Sequence, residues 1–252
     1  MQLTLHMFLI VCPLVFLGGF VDSIAGGGGL ITLPAYLFAG LPAHNAIATN
    51  KLSSSCGTLV ACIRFLKNKT VIIRLILPTV VSALIGSAIG ARLILLVSDQ
   101  YIKYFLLFAL PIVAYFVVFR RNTMQVTEHS LISTKKQYTI AMIVSFIIGA
   151  YDGFYGPGTG TFLVLALTGL AKIDVKEASG NTKFINLASN IAALITFFIN
   201  GKLLIPLGLS AALFSMAGNY LGSGMVLKSG EKIVRPIIIV VLILLLIKIF
   251  YK

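Results

Sequence analysis

One stretch, in which an acidic residue precedes a glycine-rich break, occurs twice in this chain. The first copy has Asp22 followed by four consecutive glycines at 26–29, and the second has Asp152 followed by Gly-Pro-Gly-Thr-Gly at 156–160. Both copies lie between apolar runs. Irregular backbone at membrane depth is tolerated only where it is buried in protein or lines a wet cavity. The repeated stretch therefore predicts a binding site inside a membrane protein.

The composition agrees with a chain that lies almost entirely in the bilayer. It is 58% hydrophobic and 11% charged, with a mean hydropathy of +1.02, whereas soluble domains are about 45–50% apolar and about 25% charged. The net charge of +13 would suggest nucleic acid for a soluble chain. Here it is better explained by lysines and arginines that hold loops on the cytoplasmic side. We expect a multi-pass protein of the cell membrane, surrounded by lipid, with no nucleic-acid partner.

Ten apolar segments are predicted, five in each half of the chain. Segments A to E and then A′ to E′ cover 3–24, 30–40, 45–64, 71–97, 101–119, 137–154, 160–170, 177–199, 203–227 and 232–250. A polar cytoplasmic linker at 120–136 separates a first transmembrane repeat, 1–119, from a second, 137–252. Segments B and B′ are too short to span a bilayer, since a span needs about 20 residues. The glycine-rich hairpins A–B and A′–B′ are therefore predicted to be broken or re-entrant.

The two halves match residue by residue. Asp152 follows Asp22 by 130 residues, and Lys183 follows Lys51 by 132. The second offset then persists and pairs Asn68 with Asn200, Gly86 with Gly218, Gly90 with Gly222, Asp99 with Glu231, and Lys103 with Arg235. Such an ordered series indicates an internal repeat.

The distribution of basic residues predicts the orientation of the repeats. The loop at 64–74 and the linker at 120–136 each carry four lysines or arginines, so both are expected in the cytoplasm. An odd number of membrane crossings then separates equivalent points of the two halves, so the second half has the opposite orientation in the membrane. The loop at 228–235 is also predicted to be cytoplasmic, and both termini external. The fold class is therefore an all-α polytopic membrane protein with two inverted pseudo-repeats of about five helical segments each. In such proteins the broken helices meet at mid-membrane and form the site.

The glycine loops are the first candidate binding elements. A glycine-rich break that opens a helix can present backbone N–H groups and a positive dipole end to an anion. Close helix packing is the alternative explanation, because glycine is frequent in membrane helices. The glycines assigned to the substrate are Gly26, Gly27, Gly28, Gly29, Gly156, Gly158 and Gly160.

Lys51 and Lys183 are the second pair of candidates. An intramembrane lysine costs about 2.5–3.5 kcal/mol on insertion scales, and the symmetric positions favour two cations that converge on one anion. Snorkelling toward the interface is the alternative, because each lysine lies near the end of its segment. Neighbouring polar residues would add hydrogen bonds to the substrate: Asn50, Asn181, Thr182, Asn186 and Asn190. The counterparts of Asn186 and Asn190 in the first half, Ser54 and Thr58, are also polar.

Asp22 and Asp152 have two competing interpretations. Intramembrane carboxylates often bind the proton or cation that couples transport. They could instead form structural ion pairs with Lys51 or Lys183, or cap a helix N-terminus. The sequence leaves both open.

A small-residue pattern marks segments D and D′. Glycines four residues apart, Gly86 with Gly90 and Gly218 with Gly222, let membrane helices approach closely. The pattern predicts that D and D′ cross each other, or that one of them forms a homodimer.

The residues above resemble the sulfite exporter TauE/SafE family, in particular its YfcA-like branch. The matching stretches are Asp22-Ser-Ile-Ala followed by four glycines, Ala-Thr-Asn-Lys at 48–51, Tyr-Asp-Gly-Phe-Tyr-Gly-Pro-Gly at 151–158, and Asn-Leu-Ala-Ser-Asn at 186–190. The resemblance covers essentially the whole chain. It implies a plasma-membrane transporter, and some members of the family export sulfite or organosulfonates. The second loop departs from the contiguous glycines of the first, so the two half-sites are expected to be unequal.

These patterns together predict a secondary transporter of a small anion, plausibly a sulfur oxyanion or organosulfonate such as sulfite. The alternative is a proton- or cation-coupled carrier of another small metabolite, in which the lysines are only structural. No catalytic set and no metal-like spacing of histidine or cysteine is evident, so the sequence predicts neither an enzyme, nor a metal, nor a cofactor.

Overall fold

The chain is helical throughout the part that the computed structural model describes, residues 3–102, 104 and 133–229. The helices in that part are α1 (Leu5–Ala25), α2 (Gly29–Phe38), α3 (Ala43–Lys67), α4 (Ile73–Leu95), α5 (Thr134–Phe154), α6 (Thr159–Gly169), α7 (Val175–Ile199) and α8 (Ile205–Ser229). They correspond in order to the predicted segments A–D and A′–D′, so the all-helical fold class is confirmed. Segment E′ and nearly all of segment E lie outside the described residues.

Glycines break the chain where the sequence predicts it. Helix α1 ends at Gly26, whose φ of 72° is a left-handed conformation that closes the helix. In the second half, Gly156 and Gly158 have φ values of 98° and 82° and separate α5 from α6. The short helices that follow, α2 and α6, have 10 and 11 residues. At 1.5 Å per residue each is about 15 Å long, which is half of a bilayer core.

The outer surface of α4 is a continuous apolar stripe. Large aliphatic side chains are exposed at every fourth position along it: Ile73, Leu77, Val81, Ile85, Ile89 and Leu93. Its buried face carries small or polar residues such as Ala83 and Ser87. An apolar exterior around a partly polar interior is the pattern of a helix in lipid. By length and composition, the described helices able to cross a membrane are Leu5–Ile24, Ile73–Leu95 and Val175–Ile199.

Glycine contacts join α4 to α5 and α1 to α8. A Cβ on Gly86 would collide with the carbonyl oxygen of Phe146, and a Cβ on Gly218 would collide with that of Phe16. Helices α4 and α8 pack mainly on α5 and α7, and on α1 and α3, respectively. The prediction that D and D′ cross each other is therefore wrong, because each uses its glycines to approach the first helix of the other half. A homodimer through other faces of α4 or α8 stays a prediction.

Equivalent helices of the two halves pack on helices of the opposite half. Helix α1 packs on α8 while its counterpart α5 packs on α4, and α3 packs on α8 while its counterpart α7 packs on α4. The buried apolar residues form two clusters, one centred on α1, α2 and α3 and the other on α4, α5, α6 and α7. This exchange brings the two glycine-rich breaks to the same place.

Candidate functional site

The tips of the two hairpins touch each other. Gly26 lies against Gly160, so closely that a Cβ on either glycine would collide with the backbone of the other. Gly29 lies against Pro157, whose Cα would be 3.0 Å from an added Cβ. Glycine is required at this junction because no side chain fits between the two backbones. The two glycine-rich hairpins are therefore in direct contact at their tips.

A small polar cavity of about 30 Å³ lies at this junction. One water needs about 10–15 Å³ by the same measure, so the space suits a ligand of a few heavy atoms. Its walls are Gly18, Gly19, Asp22, Gly26, Gly28, Gly29, Thr32, Asn50, Lys51, Ser54, Thr58, Asp152, Gly156, Thr159, Gly160, Asn186, Asn190, Ser215 and Asn219. The N-termini of α2 and α6 both lie in this wall, and each brings a positive dipole end to the cavity.

Asp152 and Lys51 form a tightly held ion pair within the cavity wall. Lys51 Nζ is 2.8 Å from Asp152 Oδ2, and both side chains are 3% exposed. The hydroxyl groups of Ser189 and Thr159 donate to the same carboxylate at 2.6 and 2.8 Å. Lys51 Nζ also donates to Oδ1 of Asn190 at 2.9 Å. Each charge is thus compensated by its partner and by further hydrogen bonds, which is what a buried pair requires.

Asp22 and Lys183 form the corresponding pair, but it is looser. Lys183 Nζ is 3.3 Å from Asp22 Oδ2, and the Asp22 side chain is 16% exposed. The ammonium group also donates to the backbone carbonyl oxygen of Asp22. The other carboxylate oxygen accepts a long bond, 3.4 Å, from the amide of Gly28 at the start of α2. Each lysine is therefore paired with the aspartate of the other half.

The structure brings most of the predicted site residues to one cavity. Those in its wall are Lys51, Asn50, Asn186, Asn190, Gly26, Gly28, Gly29, Gly156, Gly160, Asp22 and Asp152. Five are outside the wall: Lys183, Asn181, Thr182, Gly27 and Gly158. Lys183 adjoins the site through Asp22, whereas the side-chain amide of Asn181 donates to the Glu177 carbonyl of its own helix. The two lysines thus do not approach the cavity equally.

Sequence reasoning missed the contribution of α8. Ser215 and Asn219 lie one helical turn apart and face the cavity, and Thr32 of α2 faces it too. Two polar residues at i and i+4, one of them an asparagine beside Gly218, are the signal that could have found them. The buried side-chain oxygens Oγ1 of Thr32 and Oδ1 of Asn219 have no hydrogen-bond partner within the described residues. Buried polar atoms are rarely left so unless a water or ligand completes them.

Metal chemistry finds no support in the described ranges. No group of three or more His, Cys, Asp or Glu side chains comes together there. The cavity wall offers hydroxyls, side-chain amides, glycine backbone, the ammonium group of Lys51 and the carboxylates of Asp22 and Asp152, each of which is paired with a lysine.

Comparison with known proteins gives one consistent result. The family model described as "Sulfite exporter TauE/SafE" matches residues 11–249. A "Probable membrane transporter protein ORF9" of Sinorhizobium is 35% identical over 98% of this chain and 94% of its own length. A "Probable membrane transporter protein" of Haemophilus influenzae is 32% identical, covering 100% and 97%. YfcA of Escherichia coli, also a "Probable membrane transporter protein", is 32% identical, covering 98% and 94%. No solved structure matches. The chain belongs to the TauE/SafE family of membrane transporters.

Proposed function

We propose that this protein is a secondary transporter that carries a small oxyanion across the cell membrane. The observation that carries the proposal is the polar cavity at the junction of the two glycine-rich hairpins. Two helix N-termini and the ammonium group of Lys51 adjoin it, together with the side chains of Asn50, Asn186 and Asn190. Helix N-termini and ammonium groups are the groups with which proteins bind oxyanions. The proposed activity is transport, not catalysis.

The cargo class follows from size and from the family. A cavity of about 30 Å³ suits an inorganic ion better than a chain-bearing molecule, unless the hairpins move apart. The family description names sulfite, which has one sulfur and three oxygens. We therefore propose a sulfur oxyanion of the size of sulfite, with organosulfonates as larger members of the same class.

The proposed membrane arrangement is an inverted repeat. Its support is the exchange of contacts, in which Lys51 pairs with Asp152 and Lys183 with Asp22. In this arrangement the two hairpins enter from opposite faces and meet near the midplane. The loops at 64–74, 120–136 and 228–235 are cytoplasmic and both termini are external.

Cysteine labelling tests the arrangement. In a variant without Cys12, Cys56 and Cys62, a single cysteine introduced as His129→Cys should react with an impermeant thiol reagent only after the membrane is opened. Labelling of intact cells from outside would overturn the proposed orientation.

A second candidate is favoured by the ion pairs themselves. Lys51 and Lys183 each contact an aspartate, so they could simply neutralise the two carboxylates. In that case the protein is a coupled carrier of another small metabolite, and neither lysine binds it. The two candidates differ in what happens when an ion pair is removed as a unit.

Ligand binding to the purified protein distinguishes the candidates. Sulfite, sulfate and an organosulfonate should raise the unfolding temperature to different extents, because stabilisation depends on the ratio of ligand concentration to Kd. A ligand at 100 times its Kd stabilises the folded protein by about 2.7 kcal/mol. The double variant Lys51→Met with Asp152→Asn should insert normally and lose this stabilisation. Lys135→Met, which removes an exposed cation at the start of α5, is the matched control. Normal sulfite binding and transport by the double variant would show that Lys51 does not bind the cargo. Stabilisation of the wild type by none of these anions would leave only the second candidate.

A further inference from the structure

We infer that Asp22 alone exchanges the coupling proton, while Asp152 remains an ionised anchor for Lys51. The inference rests on the proposed function, because it assigns the coupling step of that transporter. It separates two aspartates that the repeat pattern treats as equivalent.

The contacts around Asp152 favour the charged form of its side chain. Lys51 Nζ and the hydroxyl groups of Ser189 and Thr159 lie 2.6–2.8 Å from its carboxylate oxygens. Each hydroxyl group also has a backbone carbonyl oxygen within reach, that of Asn186 or of Gly156. A carboxylate accepts such hydrogen bonds more strongly than a protonated carboxyl group, which also gains a donor that needs an acceptor of its own. Hydrogen bonds to the charged form favour that form.

Asp22 has no such restraint. Its side-chain contacts within the described residues are the 3.3 Å pair with Lys183 and the 3.4 Å bond from the Gly28 amide. No hydroxyl group donates to it there. It is also the more exposed of the two side chains, 16% against 3%, and it lines the cavity. A proton can therefore reach this carboxylate and find a free lone pair.

Lys183 keeps a strong partner when Asp22 is neutral. Its ammonium group also donates to the backbone carbonyl oxygen of Asp22, near the end of α1. Carbonyl groups at a helix C-terminus carry partial negative charge and stabilise a cation. Protonation of Asp22 therefore does not leave the buried lysine without a partner.

Other titratable groups near Asp22 complete the electrostatic surroundings. Lys183 faces it from α7, and Cys62 of α3 is close enough to interact with both. Lys51 of α3 and Asp152 of α5 share the cavity wall. The cavity-lining side chains from α2, α6 and α8 are uncharged.

This arrangement couples a proton to an anion by charge balance. An oxyanion that enters the cavity places a negative charge beside Asp22 and Asp152. Transfer of a proton from the aqueous phase to the Asp22 carboxylate removes one of those charges, so the loaded site returns to its former net charge. When the anion leaves, the proton returns from Asp22 to the aqueous phase.

Infrared spectroscopy tests the proton site without any cargo. The difference spectrum between acidic and neutral pH should contain a protonated-carboxyl band from Asp22. The band should disappear in Asp22→Asn, persist in the double variant Lys51→Met with Asp152→Asn, and persist in the control Asp174→Asn. If Asp22→Asn does not fold, Asp22→Asn with Lys183→Met removes the pair as a unit and should also lack the band. A band that is lost with Asp152 and kept without Asp22 would overturn the inference.

Transport in proteoliposomes tests the coupling. Accumulation of [35S]sulfite is measured with and without a pH gradient that is acidic on the side from which sulfite enters. The ratio of the two values should be above 1 in the wild type and fall to about 1 in Asp22→Asn. A ratio that stays at the wild-type value in this variant would overturn the inference. Should no variant carry sulfite while the infrared band still belongs to Asp22, the proposed cargo fails and the proton site stands.

Discussion

The two ion pairs occupy equivalent positions in the repeat, yet only one of them is fully hydrogen-bonded. Ser189, which donates to Asp152, has Gly57 as its counterpart at the offset of 132. Thr159, the other hydroxyl donor, has a glycine of the 26–29 run as its counterpart at any offset between 130 and 132. The two hydroxyl side chains beside the Asp152 carboxylate therefore have no counterpart beside Asp22. The comparison teaches that a repeated scaffold can keep an ion pair in both halves and surround the two pairs with different hydrogen-bond donors.

Helix packing, in contrast, is alike in the two halves. Gly90 lies against the carbonyl oxygen of Ala150, and Gly222 lies against that of Phe20. Residues 150 and 20 are separated by the same 130 residues as the aspartates. Helix packing is thus nearly symmetric between the halves, whereas the surroundings of the two carboxylates differ.

The largest expected effect on stability comes from breaking the ion pair between Lys51 and Asp152. Asp152→Asn should lower the free energy of unfolding by about 3–5 kcal/mol, because it leaves the buried Lys51 without a counter-charge. Asp22→Asn should cost clearly less, since Lys183 retains the carbonyl oxygen of residue 22. Denaturant titration in detergent measures both. Addition of Lys51→Met to Asp152→Asn should restore part of the loss, and equal costs for the two single variants would remove the distinction between the halves.

Removal of one hydroxyl donor sharpens the same contrast. Ser189→Ala should cost about 1.5–3 kcal/mol, the range for a hydrogen bond to a charged group. Ser145→Ala is the matched control, because Ser145 is equally buried and donates only to the carbonyl oxygen of Ala141 in its own helix. The free energies of unfolding of the two variants should therefore differ. A control that costs as much as Ser189→Ala would mean that the hydroxyl adds nothing specific to Asp152.

Because the packing is symmetric, alanine substitutions at equivalent glycines should lower the free energy of unfolding by equal amounts. Gly90→Ala and Gly222→Ala each place a methyl group against a backbone carbonyl of the neighbouring helix, and overpacking of this kind costs about 1–3 kcal/mol. Gly169→Ala should have little effect, because nothing lies within 4 Å of its Cβ position. Thermal unfolding in detergent compares the three. A large effect at only one of the two interface glycines would show that the halves differ in packing as well as in charge.

The sequence was sufficient to predict the features that depend on local pattern. Apolar segments predicted the helices, and the glycine-rich stretches predicted the breaks after Asp22 and Asp152. It could not decide which lysine pairs with which aspartate, because that depends on how α3 and α7 lie against the opposite half. It also could not place Ser215 and Asn219 in the cavity. A polar pair in an apolar helix does not reveal which neighbour it faces, and the contacts of α8 with α1 and α3 are formed across the length of the chain.

The smallest expected effect on stability is at Thr32, where the comparison concerns the cavity itself. At the offsets of 130 and 131 the second half has Phe162 and Leu163, and Leu163 is buried in the apolar cluster around α4 to α7. The Thr32 hydroxyl oxygen has no hydrogen-bond partner within the described residues. Replacing an unsatisfied polar group by an apolar one of similar shape is close to neutral. Thr32→Val should therefore change the free energy of unfolding by less than about 1 kcal/mol, or raise it. If the hydroxyl group completes its hydrogen bond with the cargo, the same variant should weaken sulfite binding by about 10-fold, the equivalent of one hydrogen bond of about 1.4 kcal/mol. Thr168→Val, whose hydroxyl donates to Val164 and Leu165 in its own helix, is the control and should leave sulfite binding unchanged. Unchanged sulfite binding in Thr32→Val would mean that the polarity of the first half at this position is not part of the binding site.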